Sequence, residues 1–267
     1  MTHWLLEKPL IGMIHLGPLP GSPRAGREGL NPVIARALSD ADALVAGGCQ
    51  ALMLENFGDA PFFPGSVPGH VVAAMTRVAS EVARRIPLPL GINVLRNDGL
   101  AALAIAAAVG AKFIRVNVLT GARVTDQGLI QGIAHDLTRE RVRLGAEDIA
   151  ILANVDVKHS AALATRPLHD EVKDALARGM ADAVIVSGSG TGAGVDLDKL
   201  ALVKKAAGNA PVLIGSGATA ATLATLARHA DGFIVGTATK YHGDVLAPVE
   251  LARVQELAAA RRAILDA

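Results

Sequence analysis

Two short runs near the C-terminal end decide the reading: Pro211-Val-Leu-Ile-Gly-Ser-Gly217 and Asp231-Gly-Phe-Ile-Val-Gly-Thr237. Each is an apolar strand that breaks on a glycine and a hydroxyl residue. They lie one βα unit apart, with a helical stretch between them. In a (β/α)8 barrel the loops after the seventh and eighth strands commonly hold a phosphate on backbone N–H groups and a helix N-terminus. The two runs therefore point to an architecture and to the charge of a ligand.

Working outward, short β-branched runs alternate with longer alanine-rich stretches along the whole chain. The pattern predicts eight strands: Leu10–His15, Gln50–Glu55, Pro89–Leu95, Lys112–Val118, Ala150–Asp156, Ala183–Ser187, Pro211–Gly215 and Gly232–Val235. Helices are expected near 31–46, 68–85, 98–109, 129–144, 168–179, 197–207, 218–229 and 250–264. Regular alternation implies a parallel sheet with right-handed crossovers. Eight units close a barrel, and a doubly wound open sheet is the competing architecture. Asn31-Pro32, Asn97 or Asp98, and Asp196 with Asp198 read as helix starts. Glycines at 47–48, 110, 145, 179 and 208 read as left-handed helix ends. No linker or low-complexity tract interrupts the chain, so residues 1–267 are expected to form a single domain.

Bulk composition agrees. A chain of 267 residues matches the ~250 typical of one such barrel. Hydrophobic residues make up 51% but aromatics only 3%, which suits aliphatic strands inside alanine-rich helices. A net charge of +1 without a basic run argues against a nucleic-acid surface. Cys49 is the one cysteine, so no disulfide can form within the chain; a small buried thiol is the expectation. No signal-peptide pattern and no apolar run of spanning length is present, so a cytoplasmic protein is expected.

Alternate residues of a barrel strand point inward, and a polar one there needs a partner or a task. Nearly every predicted strand ends in such a residue: His15, Glu55, Asn93, Asn117, Asp156 and Ser187. Together they would line the C-terminal face, where barrel active sites lie. The fifth strand is richest, since alternation puts Leu152, Asn154, Asp156 and Lys158 on one face, followed by His159. Asp156 or Glu55 could act as general base, His159 as the complementary acid, and Lys158 as a phosphate partner, an acid or a Schiff-base former. The bland alternative is that Asp156 and Lys158 simply neutralise each other. Arg115 lies early on its strand and is expected in an interior ion pair with Glu55 or Asp156. Phosphate contacts are expected from Gly215, Ser216, Gly217, Gly236 and Thr237, with Ser189 or Thr191 from the Ser187–Gly192 run as a third side. The glycines could also serve only to turn the chain. His15 and Asn93 are further ligand contacts. No His-x-His or His-x-x-x-His pair occurs, so no metal or other cofactor is expected, although Glu55, Asp156 and His159 could together hold a divalent ion. Two long loops, 16–29 and 56–69, follow strands and would overhang this face.

Several of these motifs occur jointly and in order: Ile11-Gly-Met-Ile-His-Leu-Gly-Pro-Leu-Pro-Gly-Ser-Pro23, Glu55-Asn-Phe-Gly-Asp-Ala-Pro-Phe-Phe63, Asn93-Val-Leu-Arg-Asn-Asp98, Phe113-Ile-Arg-Val-Asn-Val-Leu-Thr-Gly121, Asp126-Gln-Gly128, Val157-Lys-His159 and Val186-Ser-Gly-Ser-Gly-Thr-Gly192. In this combination the chain resembles the BtpA family, which includes the SgcQ proteins, over roughly residues 9–250. The resemblance implies a single TIM barrel of the phosphate-binding type, similar in outline to tryptophan-biosynthesis barrels. It also implies a link, through founding members, to photosystem I accumulation and peripheral membrane association. It carries over no catalytic residue.

The expected function is an enzyme that acts on a small phosphorylated metabolite, a sugar phosphate or nucleotide-derived compound, by general acid/base chemistry. Isomerisation, aldol-type cleavage and glycosidic hydrolysis all fit such a site. The alternative is a non-catalytic factor in membrane-complex biogenesis. Homo-oligomerisation is expected for this architecture.

Overall fold

The structure is a computed structural model that describes residues 3–164, 166–188 and 194–266. In chain order its strands are β1 Leu10–His15, β2 Ala51–Glu55, β3 Leu90–Asn93, β4 Phe113–Val116, β5 Ala122–Thr125, β6 Gly128–Gln131, β7 Ala150–Val155, β8 Ser160–Ala162, β9 Ala183–Val186, β10 Val212–Ile214 and β11 Gly232–Val235. The helices are α1 Asn31–Gly47, α2 Gly69–Arg85, α3 Gly99–Val109, α4 Ala134–Arg143, α5 Leu168–Lys173, α6 Leu197–Ala207, α7 Leu223–Leu226 and α8 Leu251–Leu265. Eight strands close a parallel barrel in the order β1-β11-β10-β9-β7-β4-β3-β2, so the open sheet is excluded. The runs Pro211–Gly217 and Asp231–Thr237 contain β10 and β11, which are adjacent in the ring.

Strand alternation sorts the core into two layers. Leu10, Leu52, Ile92, Ile114, Ile151, Val184, Val212 and Phe233 face outward into the shell under the helices. Ile11, Met13, Met53, Phe113, Leu152, Ile185, Leu213 and Ile234 fill the interior. Trp4 and Leu5, on a 3-10 turn at His3–Leu6, close the bottom, with the Trp4 ring 5.6 Å from that of Phe113. Gly91 makes room for that ring, because a Cβ there would collide with it.

A buried ion pair joins α1 to the segment that follows β11. Lys240 Nζ, after β11, donates to Asp40 Oδ2 of α1 at 2.8 Å, and both side chains are 1% exposed. The other Asp40 oxygen accepts from Val249 N at 2.8 Å and from Arg36 Nε at 3.0 Å. Burial lowers the Lys240 pKa, while the Asp40 charge opposes that shift.

Local signals hold at some ends and fail at others. Asp98 Oδ1 accepts from Ala101 N at 2.9 Å, and Asp196 Oδ1 from Asp198 N at 2.9 Å, as N-caps should. Asn31 is the first helical residue, not a cap, and Pro32 serves the first turn alone. Gly179 keeps a right-handed φ of −83°; the left-handed turn falls on Met180 at 56°. The helix expected over 129–144 starts only at Ala134. Gly128–Gln131 instead pairs antiparallel with Ala122–Thr125, which also pairs with Ser160–Ala162. This three-stranded sheet was not anticipated, because its strands are short and its pairing is non-local. The helix expected over 218–229 shrinks to the single turn of α7. Among the described residues no helix is long and apolar enough to cross a membrane.

Candidate functional site

The interior layer turns polar at its upper end. One row above Met13 and Met53 come His15 and Glu55, and above Phe113 comes Arg115. These side chains face a cavity of about 410 Å³ at the C-terminal mouth. Its other walls include Asn117, Lys158 and the loops Gly215–Thr219 and Gly236–Ala238.

Glu55 is 5% exposed and held from two sides. Asn93 Nδ2 donates to its Oε2 at 2.5 Å, and His15 Nε2 lies 3.8 Å from its Oε1. Asn93 is thus a support beneath the site rather than a wall of the cavity. Burial pushes the His15 pKa down to about 4, against the upward pull of the Glu55 carboxylate and with help from Lys240 and Lys158. His15 is therefore neutral near pH 7, stacked on Phe57 with ring centroids 4.7 Å apart.

A second buried chain crosses the opposite wall. Arg115 Nε donates to Asn154 Oδ1 at 2.9 Å, and Asn154 Nδ2 donates to Ser187 Oγ at 3.1 Å. The expected interior ion pair of Arg115 does not form: among the described residues no carboxylate lies within 4 Å of it. Its guanidinium instead lines the cavity, 6% exposed. Asn117, 4% exposed, leaves Oδ1 buried without a partner among the described residues, an atom that a ligand donor could satisfy.

The structure separates the fifth-strand residues that alternation grouped together. β7 ends at Val155, and Asp156 takes a left-handed φ of 47°, which breaks the period of two. Its carboxylate leaves the main cavity and binds Arg123 Nη1 at 2.8 Å and Lys199 Nζ at 2.6 Å. Burial tends to raise the Asp156 pKa, but the hydrogen bonds and charges of Lys199 and Arg123 outweigh it, and the net shift is downward. Arg123 also holds Glu171 at 2.6 Å, which ties the small sheet to α5. Asp156 is thus an anchoring carboxylate beside the site, and the pairing of Asp156 with Lys158 is replaced by these contacts. Lys158 and His159 do line the cavity. Burial lowers the Lys158 pKa to about 8, with Arg115 and Arg96 adding to the effect and Glu55 opposing it. The same burial, with Lys158 and Arg96, lowers that of His159.

The expected grouping of Glu55, Asp156 and His159 around a cation is not assembled, since Asp156 points elsewhere. Among the described residues no three or more His, Cys, Asp or Glu side chains are arranged to hold a metal ion.

Gly215, Ser216, Gly217, Gly236 and Thr237 all border the cavity, on the β10–β11 side. Ser216 Oγ accepts from Gly188 N at 3.0 Å, which ties the loop after β9 to the loop after β10. Among the described residues the amides of Gly217 and Ala218 donate to no backbone carbonyl. With α7 reduced to one turn, this side of the cavity is bordered by loop residues and not by the terminus of a long helix. Ser189 and Thr191 lie outside the described residues.

Sequence reasoning passed over Arg96, Arg115 and Arg253 as site residues, and Phe57 and Phe62 as walls. Parity could have found Arg115, which shares the inward face of Phe113 and Asn117. Arg96 and Arg253 come from loop and helix positions with no comparable signal. Among the described residues the cavity sets four basic side chains, Arg96, Arg115, Lys158 and Arg253, against one carboxylate, that of Glu55, a field that favours anions.

A closed parallel barrel with a basic mouth defines the class, and comparison with known proteins places the chain within it. The BtpA family model matches residues 6–263, and the chain belongs to that family. It is 48% identical over 248 residues to the photosystem I biogenesis protein BtpA of Synechocystis, covering 93% of this chain and 86% of that one. A Thermococcus kodakarensis protein is 50% identical over 251 residues, covering 94% of each. Among solved structures, N-(5'-phosphoribosyl)anthranilate isomerase of Pyrococcus furiosus superposes with a TM-score of 0.56 at 11% identity, covering 95% of this chain and 99% of that one. Tryptophan synthase of M. tuberculosis does so at 0.59 and 17%, covering 96% and 94%. At these identities the likeness is one of fold.

Proposed function

We propose that the protein is an enzyme acting on a small phosphorylated metabolite, with general acid/base chemistry at the barrel mouth. One observation carries the reading. A single cavity joins glycine and hydroxyl loops after β10 and β11 to a buried carboxylate and a basic wall. Phosphate would sit on the loop amides around Ser216–Ala218 and Gly236–Thr237, with Arg115 or Arg253 countering its charge. Glu55, oriented by Asn93 and His15, is the general base. Lys158 and His159 lie across from it as proton donors or carriers. Asp156 is not assigned a chemical step, because its carboxylate is engaged by Arg123 and Lys199.

Calorimetric titration with inorganic phosphate and ribose 5-phosphate tests the seat. Both are expected to bind, and Thr237→Asp, which brings a negative charge to the loop, should weaken each at least ~10-fold, about 1.4 kcal/mol. Glu55→Gln should keep that affinity while lowering turnover by roughly 10²–10⁴, followed by mass spectrometry of a phosphorylated-metabolite mixture. Absence of phosphate binding in the unaltered protein would remove the reading.

A second reading takes its support from the name of the Synechocystis relative: a factor for photosystem I biogenesis without turnover. It predicts that Glu55→Gln leaves function in a complementation assay intact.

A further inference from the structure

We propose that the substrate carries a carbonyl group as well as a phosphate, and that Lys158 Nζ condenses with that carbonyl to form an imine. The proposal rests on the function proposed above and names its substrate class, a phosphorylated aldehyde or ketone.

Placement is the first support. Lys158 sits in a turn bracketed by two left-handed residues, Asp156 at φ 47° and His159 at φ 56°. Such backbone is costly for non-glycine residues and persists where the surroundings enforce it. The enforcement is visible. Arg96 Nη2 donates to the Lys158 carbonyl at 2.7 Å, Ser160 Oγ donates to the Val157 carbonyl at 2.5 Å, and Asp156 is tethered by Arg123 and Lys199. The turn therefore fixes where the lysine stem leaves the backbone, and its side chain lines the same cavity as the phosphate seat.

Chemical surroundings are the second support. Among the described residues Lys158 is the one lysine that lines the cavity, beside two guanidiniums, Arg115 and Arg96. A cavity that already holds permanent cations for an anion gains little from one more. Those cations and partial burial favour the neutral, nucleophilic amine, in line with its lowered pKa. Glu55 in the same cavity can carry protons.

The step balances without a further reagent. The Nζ lone pair forms a C–N bond to the carbonyl carbon as the C=O π bond breaks, and the oxygen takes a proton. That oxygen then leaves as water, so both amine hydrogens depart with it and a C=N bond remains. Protonation of the imine by Glu55 or water gives an iminium that can accept an electron pair from the neighbouring carbon, which is what aldol cleavage or isomerisation requires.

Reductive trapping tests the proposal on the full-length protein. Dihydroxyacetone phosphate, glyceraldehyde 3-phosphate and ribose 5-phosphate are each incubated with the protein and cyanoborohydride, and adducts are located by intact mass and peptide mapping. With at least one probe, a single adduct at Lys158 is expected. It should be suppressed by excess inorganic phosphate and form at least ~10-fold more slowly with the unphosphorylated counterpart. The trapping rate should rise through a midpoint near pH 8. Lys158→Arg should lose the adduct while retaining phosphate affinity, which shows that the variant is folded. Phosphate or ribose 5-phosphate binding without a Lys158 adduct from any probe would overturn the imine and leave the proposed function standing. Labelling spread over several lysines, unchanged in Lys158→Arg, would overturn it equally. Failure of the unaltered protein to bind phosphate would overturn both.

Discussion

Asp40→Ala is expected to destabilise the protein by about 3–5 kcal/mol, the cost of removing one member of a buried ion pair and stranding the other. The figure follows from what the carboxylate satisfies. It accepts from Lys240 Nζ, Val249 N and Arg36 Nε, and both Asp40 and Lys240 are essentially excluded from solvent. Its loss leaves an ammonium in an apolar shell and an orphaned backbone donor. The effect is also local. Lys240 directly follows the 3-10 turn Thr237–Thr239, which forms part of the proposed phosphate seat, so phosphate affinity should fall along with stability. Urea unfolding followed by circular dichroism gives the first quantity and calorimetry the second. The double replacement Asp40→Leu with Lys240→Met should recover much of the stability, because it strands no charge. A loss below ~1 kcal/mol in the single variant would show that water reaches the pair.

Acid should weaken the fold through His15. Its pKa is about 4 in the folded protein against an ordinary 6.5, so the fold favours the neutral ring. Between those values the unfolded chain binds a proton that the folded chain refuses. Stability is fully present above pH 6.5 and is lost as pH falls toward 4, by up to about 3 kcal/mol from this residue. His15→Gln cannot take up that proton. The stability difference between the unaltered protein and His15→Gln should therefore change by roughly 3 kcal/mol between pH 7 and pH 4. Parallel pH curves for the two proteins would mean that His15 is solvated or ion-paired at low pH.

The barrel was legible because its signals are local and repeated. Each strand is a short apolar run whose alternation assigns its own faces, and the same alternation brought His15, Glu55 and Asn117 to one cavity. It failed where a single dihedral departs from the strand. At Asp156 one left-handed residue turns the carboxylate away, and nothing in Asn-Val-Asp-Val-Lys announces that. What holds Asp156 in place, Arg123 and Lys199, lies 33 and 43 residues away along the chain. Pairings at that separation carry no periodic trace. The same reasoning covers the small sheet, where Gly128–Gln131 reads as the start of a helix until its partner strands are known. It also covers Arg115, whose inward face was readable but whose partner, Asn154, was not. The short α7 is a different case: Thr219 and Thr222 bond to each other and to nearby backbone, an arrangement that competes with helix formation.

The filled bottom of the barrel would set the traffic at the proposed site. Trp4, Leu5 and Phe113 pack into the interior below the cavity and fill that end of the barrel. Whatever enters between the loops must leave by the same doorway. Under the proposed function, substrate and product would wait on one another, and a phosphate-bearing product would have to clear the mouth before the next molecule could be admitted.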